Sequence, residues 1–265
     1  MKPVLSGVPE TLLIPLWARA VESRRDAPII TDAKAVEMMA SIDYDFTKFE
    51  QAWKSQIGVV IRTEILNTAV AEFIRQAPAA VIVNIGCGLD TRYAQVDNGQ
   101  IYWYDLDLPE PIQIRRRFFS ETDRYKMIAR SVFDYSWLDE IAVAEKPVLL
   151  IAEGTLMYFS EQEVIDLLAA LHAAFPRAQM LLEIITPAIV KMSSHHDSVG
   201  KMNARFQWGV KSSRELETYH SGIKVVNEWN LFDCHRDRWG WMGWLAQLPA
   251  FRNRFSDRIV QLAFV

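Results

Sequence analysis

The stretch AAVIVNIGCGLDTR, residues 79–92, decides the fold, because an apolar and β-branched run leads directly into a glycine-rich loop. Such a run is typical of a strand that is buried on both faces of a parallel sheet. Gly86 and Gly88 let the backbone turn sharply after the strand and approach a ligand closely. Thr91 occupies the place of the third glycine of a G-x-G-x-x-G pattern, so the loop alone does not distinguish a ligand site from a tight turn.

Strands and helices alternate on both sides of this loop. Further strand-like runs occupy residues 101–106, 125–130, 147–153, 178–185, 223–232 and 258–265. Helical spacing or helix-start signals mark residues 59–75, 109–119, 161–175 and a tryptophan-rich stretch at 239–248. Ser160 and Glu163 form a capping box for the helix that begins at residue 161. The alternation predicts a doubly wound α/β sheet, whose ligands bind at the carboxyl ends of the strands.

Composition excludes several classes of protein. The chain has 265 residues, a net charge of −4 and 50% hydrophobic residues, which predicts a globular chain with a sizeable core. No basic excess is present to neutralise a phosphate backbone, so we expect no nucleic-acid partner. Two cysteines suit a reducing compartment, and neither a signal peptide nor a transmembrane run is apparent. We therefore expect a cytoplasmic protein with no membrane partner.

Two acidic positions and one arginine stand out at the predicted strand ends. Asp107 follows Gly88 by about 19 residues, the spacing at which an acid meets the hydroxyls of a ribose, although it could instead cap the following helix. Glu153 ends an apolar strand and is costly to bury alone. Arg62 lies on an apolar helix and needs a carboxylate partner. That partner is either Glu153 or a ligand.

Six short motifs follow one another along the chain. They are Arg62-Thr63, NIGCGLDTR at 84–92, DLDLP at 105–109, Ser131-Val132, AEGTLMY at 152–158 and FQWG at 206–209. This ordered set resembles the leucine carboxyl methyltransferase family, and within it the bacterial branch related to polyketide-synthesis O-methyltransferases. The resemblance runs from about residue 11 to the end of the chain. The order and spacing make it specific, whereas any single motif would not.

The resemblance implies a fold, a cofactor and a set of binding residues. The fold is a Rossmann-like class I methyltransferase sheet of seven mostly parallel strands, with the last strand antiparallel. The cofactor is S-adenosylmethionine, and the product is S-adenosylhomocysteine. Arg62 matches the arginine that holds the methionine carboxylate, and Asp107 the acid that binds the ribose. The implied cofactor-binding residues are Arg62, Gly86, Cys87, Gly88, Asp107, Leu108, Ser131, Val132, Glu153, Gly154 and Tyr158. Two positions depart from the family pattern: Ser131 replaces an acid that is common beside the adenine, and Gln95 replaces an arginine.

The acceptor side has fewer signals than the cofactor side. We predict a substrate wall from apolar residues near the strand ends and the amino-terminal helices, namely Trp17, Met157, Phe206 and Trp208. Core packing is the alternative for each of them. His195 or His196 is a weak candidate for a base, because both lie in a segment without clear periodicity. We expect no metal, since adjacent histidines on a helix point about 100° apart and no third ligand is near.

The resemblance implies an S-adenosylmethionine-dependent O-methyltransferase, and we expect it to act on a small-molecule carboxylate or phenol. The alternatives are methylation of a protein carboxyl terminus and, less favoured, a NAD-dependent oxidoreductase on a similar sheet. We expect a single domain, as a monomer or homodimer. It divides into a helical cap (1–76), a cofactor-binding part (77–186), a substrate-side insertion (187–222) and carboxyl-terminal strands with a helix (223–265).

Overall fold

The apolar run before the glycine loop forms strand β1 (Val81–Ile85), in which all five residues are buried. The structure is a computed structural model that describes residues 7–202 and 204–265. The prediction that the chain begins without a targeting segment concerns mainly residues 1–6, which lie outside the described residues. β1 pairs in parallel with a strand on each side. Both of its faces are buried, which explains why apolar and polar residues do not alternate along it.

The remaining strands complete a single sheet. They are β2 (Tyr102–Asp107), β3 (Tyr125–Ala129), β4 (Val148–Ala152), β5 (Gln179–Ile185), β6 (Ile223–Asn230) and β7 (Asp257–Phe264). Within the described ranges the sheet has seven strands in the order β3-β2-β1-β4-β5-β7-β6. β7 is antiparallel to both of its neighbours, and the other pairs are parallel. The predicted fold class, with an antiparallel last strand, is therefore confirmed.

Helices cover both faces of the sheet. They are α1 (Leu13–Glu22), α2 (Ala33–Ser41), α3 (Trp53–Gln76), α4 (Arg92–Val96), α5 (Pro109–Arg115), α6 (Glu161–Ala174), α7 (Pro187–Lys191), α8 (Leu216–Tyr219), α9 (Trp241–Leu245) and α10 (Pro249–Phe255). α3 buries its apolar residues with one face of the strands, and α6 with the other. The capping box of Ser160 and Glu163 is present at the start of α6. No helix in the described ranges is both long and apolar enough to cross a membrane.

A third apolar cluster lies beside the carboxyl ends of the strands. It joins α1 and α2 to side chains from the segment after β5, including Met202 and Phe206. Asp32 caps α2 by accepting the N–H of Ala35 at 2.8 Å. The amino-terminal helices and the predicted insertion thus pack together at the edge where parallel α/β sheets bind ligands. The division of the chain into four parts stays a prediction.

The tryptophan-rich stretch differs from its prediction. The sequence predicts a helix over residues 239–248, whereas α9 covers only Trp241–Leu245. Gly240, at φ +53°, separates α9 from the short 3₁₀ turn Arg236–Trp239. Trp239 is buried, but Trp241 is 57% exposed and Trp244 is 70% exposed. The aromatic spacing therefore does not mark a helix packed against the sheet along its length, because the glycine redirects the chain after the first tryptophan.

Candidate functional site

A cavity of about 460 Å³ opens where the strands end. Its floor comes from the loops after β1, β2, β3 and β4, and its walls come from α1, α3 and the segment after β5. Every residue that the resemblance assigned to the cofactor lines this cavity: Arg62, Gly86, Cys87, Gly88, Asp107, Leu108, Ser131, Val132, Glu153, Gly154 and Tyr158. Residues separated by almost a hundred positions in sequence are brought together because parallel strands end at one edge.

The glycine loop reaches its position through positive φ angles. Gly86 lies at φ +64° and Gly88 at φ +46°, a region that disfavours side chains. A Cβ on Gly86 would also collide with the side chain of Thr155 in the loop after β4. Cys87, between the two glycines, is buried, and burial raises the pKa of its thiol well above the usual range. Cys87 is therefore a neutral apolar wall of the cavity.

Asp107 fastens the end of β2 to the glycine loop. Its Oδ2 accepts the N–H of Gly88 and its Oδ1 accepts the N–H of Leu108, each at 2.7 Å. Burial raises the pKa of Asp107 to about 6, although both backbone N–H groups favour the charged form. A carboxylate held beside a glycine loop can accept two further hydrogen bonds from a ligand's hydroxyls.

Ser131 and Val132 follow β3 and line the cavity next to Asp107's strand. The Oγ of Ser131 accepts the N–H of Phe133 at 3.3 Å, and Trp137 donates its indole N–H to the carbonyl of Val132 at 3.0 Å. These bonds fix the loop backbone. A hydroxyl in this place can donate or accept one hydrogen bond but brings no charge to the cavity.

Arg62 and Glu153 form an ion pair, which is one of the two arrangements that the sequence left open. Nε of Arg62 donates to Oε1 of Glu153 at 2.8 Å, and Arg92 donates to the other oxygen of Glu153 at 2.8 Å. Burial alone would raise the pKa of Glu153, but the two guanidinium groups lower it to about 2. Nη2 of Arg62 has no hydrogen-bond partner within the described residues. One side of this guanidinium thus remains available to a ligand carboxylate.

Glu183 and Asp257 join the cluster and were not singled out from the sequence. Oε1 of Glu183 accepts from Nη1 of Arg62 at 2.8 Å, and Oε2 accepts the N–H of Gly154 at 2.6 Å. Burial and the adjacent Glu183 raise the pKa of Asp257 well above its usual range. An acid within the apolar run MLLEII of β5 was the available signal for Glu183. Asp257 had no such signal, because it starts its strand.

The acceptor predictions have a divided outcome. Met157 and Phe206 line the cavity, and the ring of Phe206 lies 5.4 Å from that of Tyr158. Burial raises the pKa of Tyr158 to about 12, so the phenol remains neutral. His195 and His196 also line the cavity.

The two predicted tryptophans do not line the cavity, and the structure corrects their placement. Trp17 packs against Phe49, with ring centroids 5.7 Å apart, inside the cluster of amino-terminal helices. Trp208 is buried in the core on the α6 side of the sheet and donates its indole N–H to the hydroxyl of Tyr219 at 3.1 Å. Both side chains are buried in apolar clusters and serve packing.

Comparisons of the sequence and of the fold with known proteins identify methyltransferases that this chain resembles. The profile of the leucine carboxyl methyltransferase family matches residues 13–172. A Streptomyces glaucescens protein, tetracenomycin polyketide synthesis O-methyltransferase TcmP, is 31% identical over 98% of both chains. An S-adenosyl-L-methionine-dependent methyltransferase of Gibberella zeae, dpfgK, is 28% identical over 97% of this chain and 92% of its own. The crystal structure of a candidate methyltransferase from Thermobifida fusca superposes with a TM-score of 0.60 at 12% identity, over 95% of this chain and 94% of that one.

Proposed function

This chain belongs to the leucine carboxyl methyltransferase family, and from that premise we propose that it methylates an oxygen of a small-molecule carboxylate or phenol, with S-adenosylmethionine as the methyl donor. The observation that carries the proposal is one cavity that holds both an ionic anchor at Arg62 and a carboxylate at Asp107. The polyketide O-methyltransferase of S. glaucescens, similar along its whole length, supports oxygen as the atom methylated.

The hydrogen-bonding groups that line the cavity fit S-adenosylmethionine. The open Nη2 of Arg62 suits the methionine carboxylate, and the oxygens of Asp107 suit the two ribose hydroxyls. Ser131 and Val132 would lie beside the adenine, and Glu153, Gly154 and Tyr158 beside the methionine part. When bound, this cofactor supplies a methyl group on a positively charged sulfur.

The chain's own residues contribute position and exclusion of water. Methyl transfer to oxygen needs the acceptor oxygen close to the methyl carbon and in line with the bond that breaks, so that holding the two groups together supplies much of the rate. The cavity has a buried apolar wall on the side that we assign to the acceptor, formed by Met157, Tyr158 and Phe206. An acceptor carboxylate is already ionised at pH 7 and needs no base, whereas a phenol, with a pKa near 10, needs one.

Calorimetric titration of the purified chain tests the cofactor assignment. S-adenosylhomocysteine should bind, and NAD, titrated in parallel, should not. The Arg62→Lys variant keeps a cation but loses the forked geometry, so it should bind S-adenosylhomocysteine more weakly. Binding of NAD alone would reject the proposal in favour of redox chemistry. With S-adenosylmethionine present, small acids and phenols should accept a methyl group, and peptides with a free carboxyl terminus should not.

A further inference from the structure

Glu183 and Asp257 bring two neighbouring carboxyl groups to the cavity beside Arg62. Both residues line the cavity, and the side chain of Glu183 is only 1% exposed. Arg62 contacts Glu183 and Glu153, each at 2.8 Å, so one guanidinium group already serves two carboxylates. Asp257 lies next to Glu183 and forms no ion pair within the described residues. This end of the cavity therefore has more acidic groups than Arg62 can neutralise.

The wider ion cluster has the same excess of acid. Arg92 is its second guanidinium group, and it contacts Glu153 and Asp90. Within the described ranges, two guanidinium groups thus accompany four carboxyl groups, those of Asp90, Glu153, Glu183 and Asp257. Burial and Glu183 raise the pKa of Asp257, as expected where buried acids outnumber the cations around them. A cationic group on a ligand would supply the positive charge that the cluster lacks.

Oδ1 of Asp257 is a buried acceptor without a donor. No hydrogen-bond partner of this atom is present in the part of the chain that the structure describes. The two oxygens of Glu183 accept one bond each, from Nη1 of Arg62 at 2.8 Å and from the N–H of Gly154 at 2.6 Å, and each can accept another. Leaving a buried acceptor unpaired is costly. In the wall of a cavity, such acceptors indicate that a ligand supplies the donor.

Gly154 leaves a space between Arg62 and Glu183. Its φ is +64°, a conformation that disfavours any side chain at this position. A Cβ on this glycine would lie 3.2 Å from Nη2 of Arg62 and 3.8 Å from Oε2 of Glu183. Nη2 is the nitrogen of Arg62 that has no hydrogen-bond partner among the described residues. The space beside Gly154 therefore has a cationic donor on one side and a carboxylate acceptor on the other.

This arrangement of charges fits an α-amino acid, which carries a carboxylate and an ammonium group on the same carbon atom. The proposed function places the carboxylate at Nη2 of Arg62. The ammonium group must then also lie close to Arg62, where its three N–H donors need acceptors and its charge needs a negative partner. Glu183 and Asp257 supply both, and Oε2 of Glu183 borders the same space beside Gly154.

We propose that Glu183, with Asp257 beside it, binds the ammonium group of the amino-acid part of the cofactor; this rests on the proposed methyltransferase function. The cavity then recognises both charges of an amino acid, the carboxylate at Arg62 and the ammonium group at Glu183. A nucleotide without an amino-acid part leaves the two acids without a cation. The pair therefore contributes to the choice of cofactor as well as to its affinity.

Calorimetric titration with two ligands tests the proposal on the wild-type chain. The ligands are S-adenosylhomocysteine and its desamino analogue, which keeps the carboxylate but lacks the ammonium group. The analogue should bind about ten- to hundredfold more weakly, the effect of one charge-assisted hydrogen bond. Equal Kd values overturn the proposal but leave the methyltransferase function standing, because the cofactor site still binds its product. If neither ligand binds, the proposed function itself fails.

A double-mutant cycle between protein and ligand assigns the ammonium group to Glu183. Glu183→Gln keeps the size of the side chain but removes its charge, so the preference for S-adenosylhomocysteine over the desamino analogue should largely disappear. Glu72→Gln, at an exposed position on α3, is the matched control and should keep the preference. If Glu183→Gln weakens both ligands by the same factor, Glu183 only orients Arg62, and the proposal is overturned.

Asp257→Asn repeats the cycle if Glu183→Gln does not fold, which circular dichroism shows. This substitution breaks no ion pair within the described ranges, so the variant should remain folded. It removes the negative charge beside Glu183, and the preference for S-adenosylhomocysteine over the desamino analogue should shrink several-fold. An undiminished preference in folded Asp257→Asn overturns the proposal, because other groups then hold the ammonium group.

Discussion

The two sides of the cavity are built on different kinds of structure. The side that we assign to the cofactor consists of short loops at the ends of β1, β2, β3 and β4, together with Arg62 on α3. The acceptor side consists of the segment after β5, which has short helical turns and is fixed by contacts to α3 far away in sequence. The contrast shows that short contiguous sequence motifs predict the residues of the cofactor side well and those of the acceptor side poorly. Variants on each side should therefore have separable effects.

The largest effect should come from the ion cluster beneath the cofactor side. Arg62→Ala leaves Glu183 without a charged partner in a buried place and leaves Glu153 with Arg92 alone, so the free energy of unfolding should fall by about 3–5 kcal/mol. Urea denaturation followed by circular dichroism measures this change. Arg75→Ala, which removes an exposed pair with Glu72 near the other end of α3, is the control and should leave the midpoint nearly unchanged. Equal midpoints for the two variants would refute the structural role of the cluster.

Asp107→Asn should act on cofactor affinity. The loss of charge-assisted bonds to a ligand's hydroxyls is worth about 1.5–3 kcal/mol, so the Kd for S-adenosylhomocysteine should rise about ten- to hundredfold. Asp123→Asn, at an exposed position after α5, is the matched control. Calorimetry measures both variants. An unchanged Kd for Asp107→Asn would show that Asp107 does not bind the ribose hydroxyls. The contrast between the cofactor side and the acceptor side would then lose its main support.

Acidic pH should weaken cofactor binding through the same residue. The pKa of Asp107 is raised to about 6, so the carboxylate is mostly ionised at pH 7 and mostly protonated at pH 5. Because the ligand's hydroxyls donate to the ionised form, affinity should fall about tenfold from pH 7 to pH 5 for one titrating group. The Kd for S-adenosylhomocysteine measured across this range gives the slope. Asp107→Asn should lack this pH dependence, and a variant that retains it would assign the effect to another group.

The smallest effect should come from the anchor of the acceptor side. Asp197→Ala removes the carboxylate that accepts the first N–H groups of α3, which should lower the free energy of unfolding by about 1 kcal/mol, as for a lost helix cap. The Kd for S-adenosylhomocysteine should not change, although limited proteolysis should cut the segment after β5 faster. A large loss of cofactor affinity would show that the two sides are not independent.

Local sequence pattern was a good guide where the structure depends on interactions between residues that are close together in sequence. Strand β1 and the capping box of α6 follow from buried β-branched runs and from side-chain to backbone bonds three residues apart. Gly86 and Asp107 could be placed at the site because strand ends meet at one edge of a parallel sheet. The resemblance to a known family supplied Ser131, Val132 and Tyr158, which spacing alone would not have selected.

Local sequence pattern was a poor guide where a residue's role depends on the direction of its side chain or on contacts with residues far away in sequence. Trp17 and Trp208 are of the residue type that often lines a pocket, yet the side chains of both are buried in apolar clusters. Glu183 and Asp257 lie on adjacent antiparallel strands, and their approach depends on the pairing of β5 with β7. His195 and His196 could not be distinguished in sequence, because what separates them is a chain of hydrogen bonds from His196 through Ser198 to Ser55, more than 140 residues away.

The sequence by itself determined the sheet and the edge at which sheets of this kind bind ligands, since these depend on hydrophobic burial and on turns of a few residues. The resemblance to a known family, rather than burial or spacing, supplied most of the residues that we assign to the cofactor side. Tertiary structure alone decided that Arg62 holds two carboxylates while its Nη2 has no hydrogen-bond partner among the described residues, and that the ring of His196 packs against Phe206. The physical reason is that charge pairing and proton placement depend on distances of about 3 Å between groups far apart in the chain. Only the packed fold sets those distances.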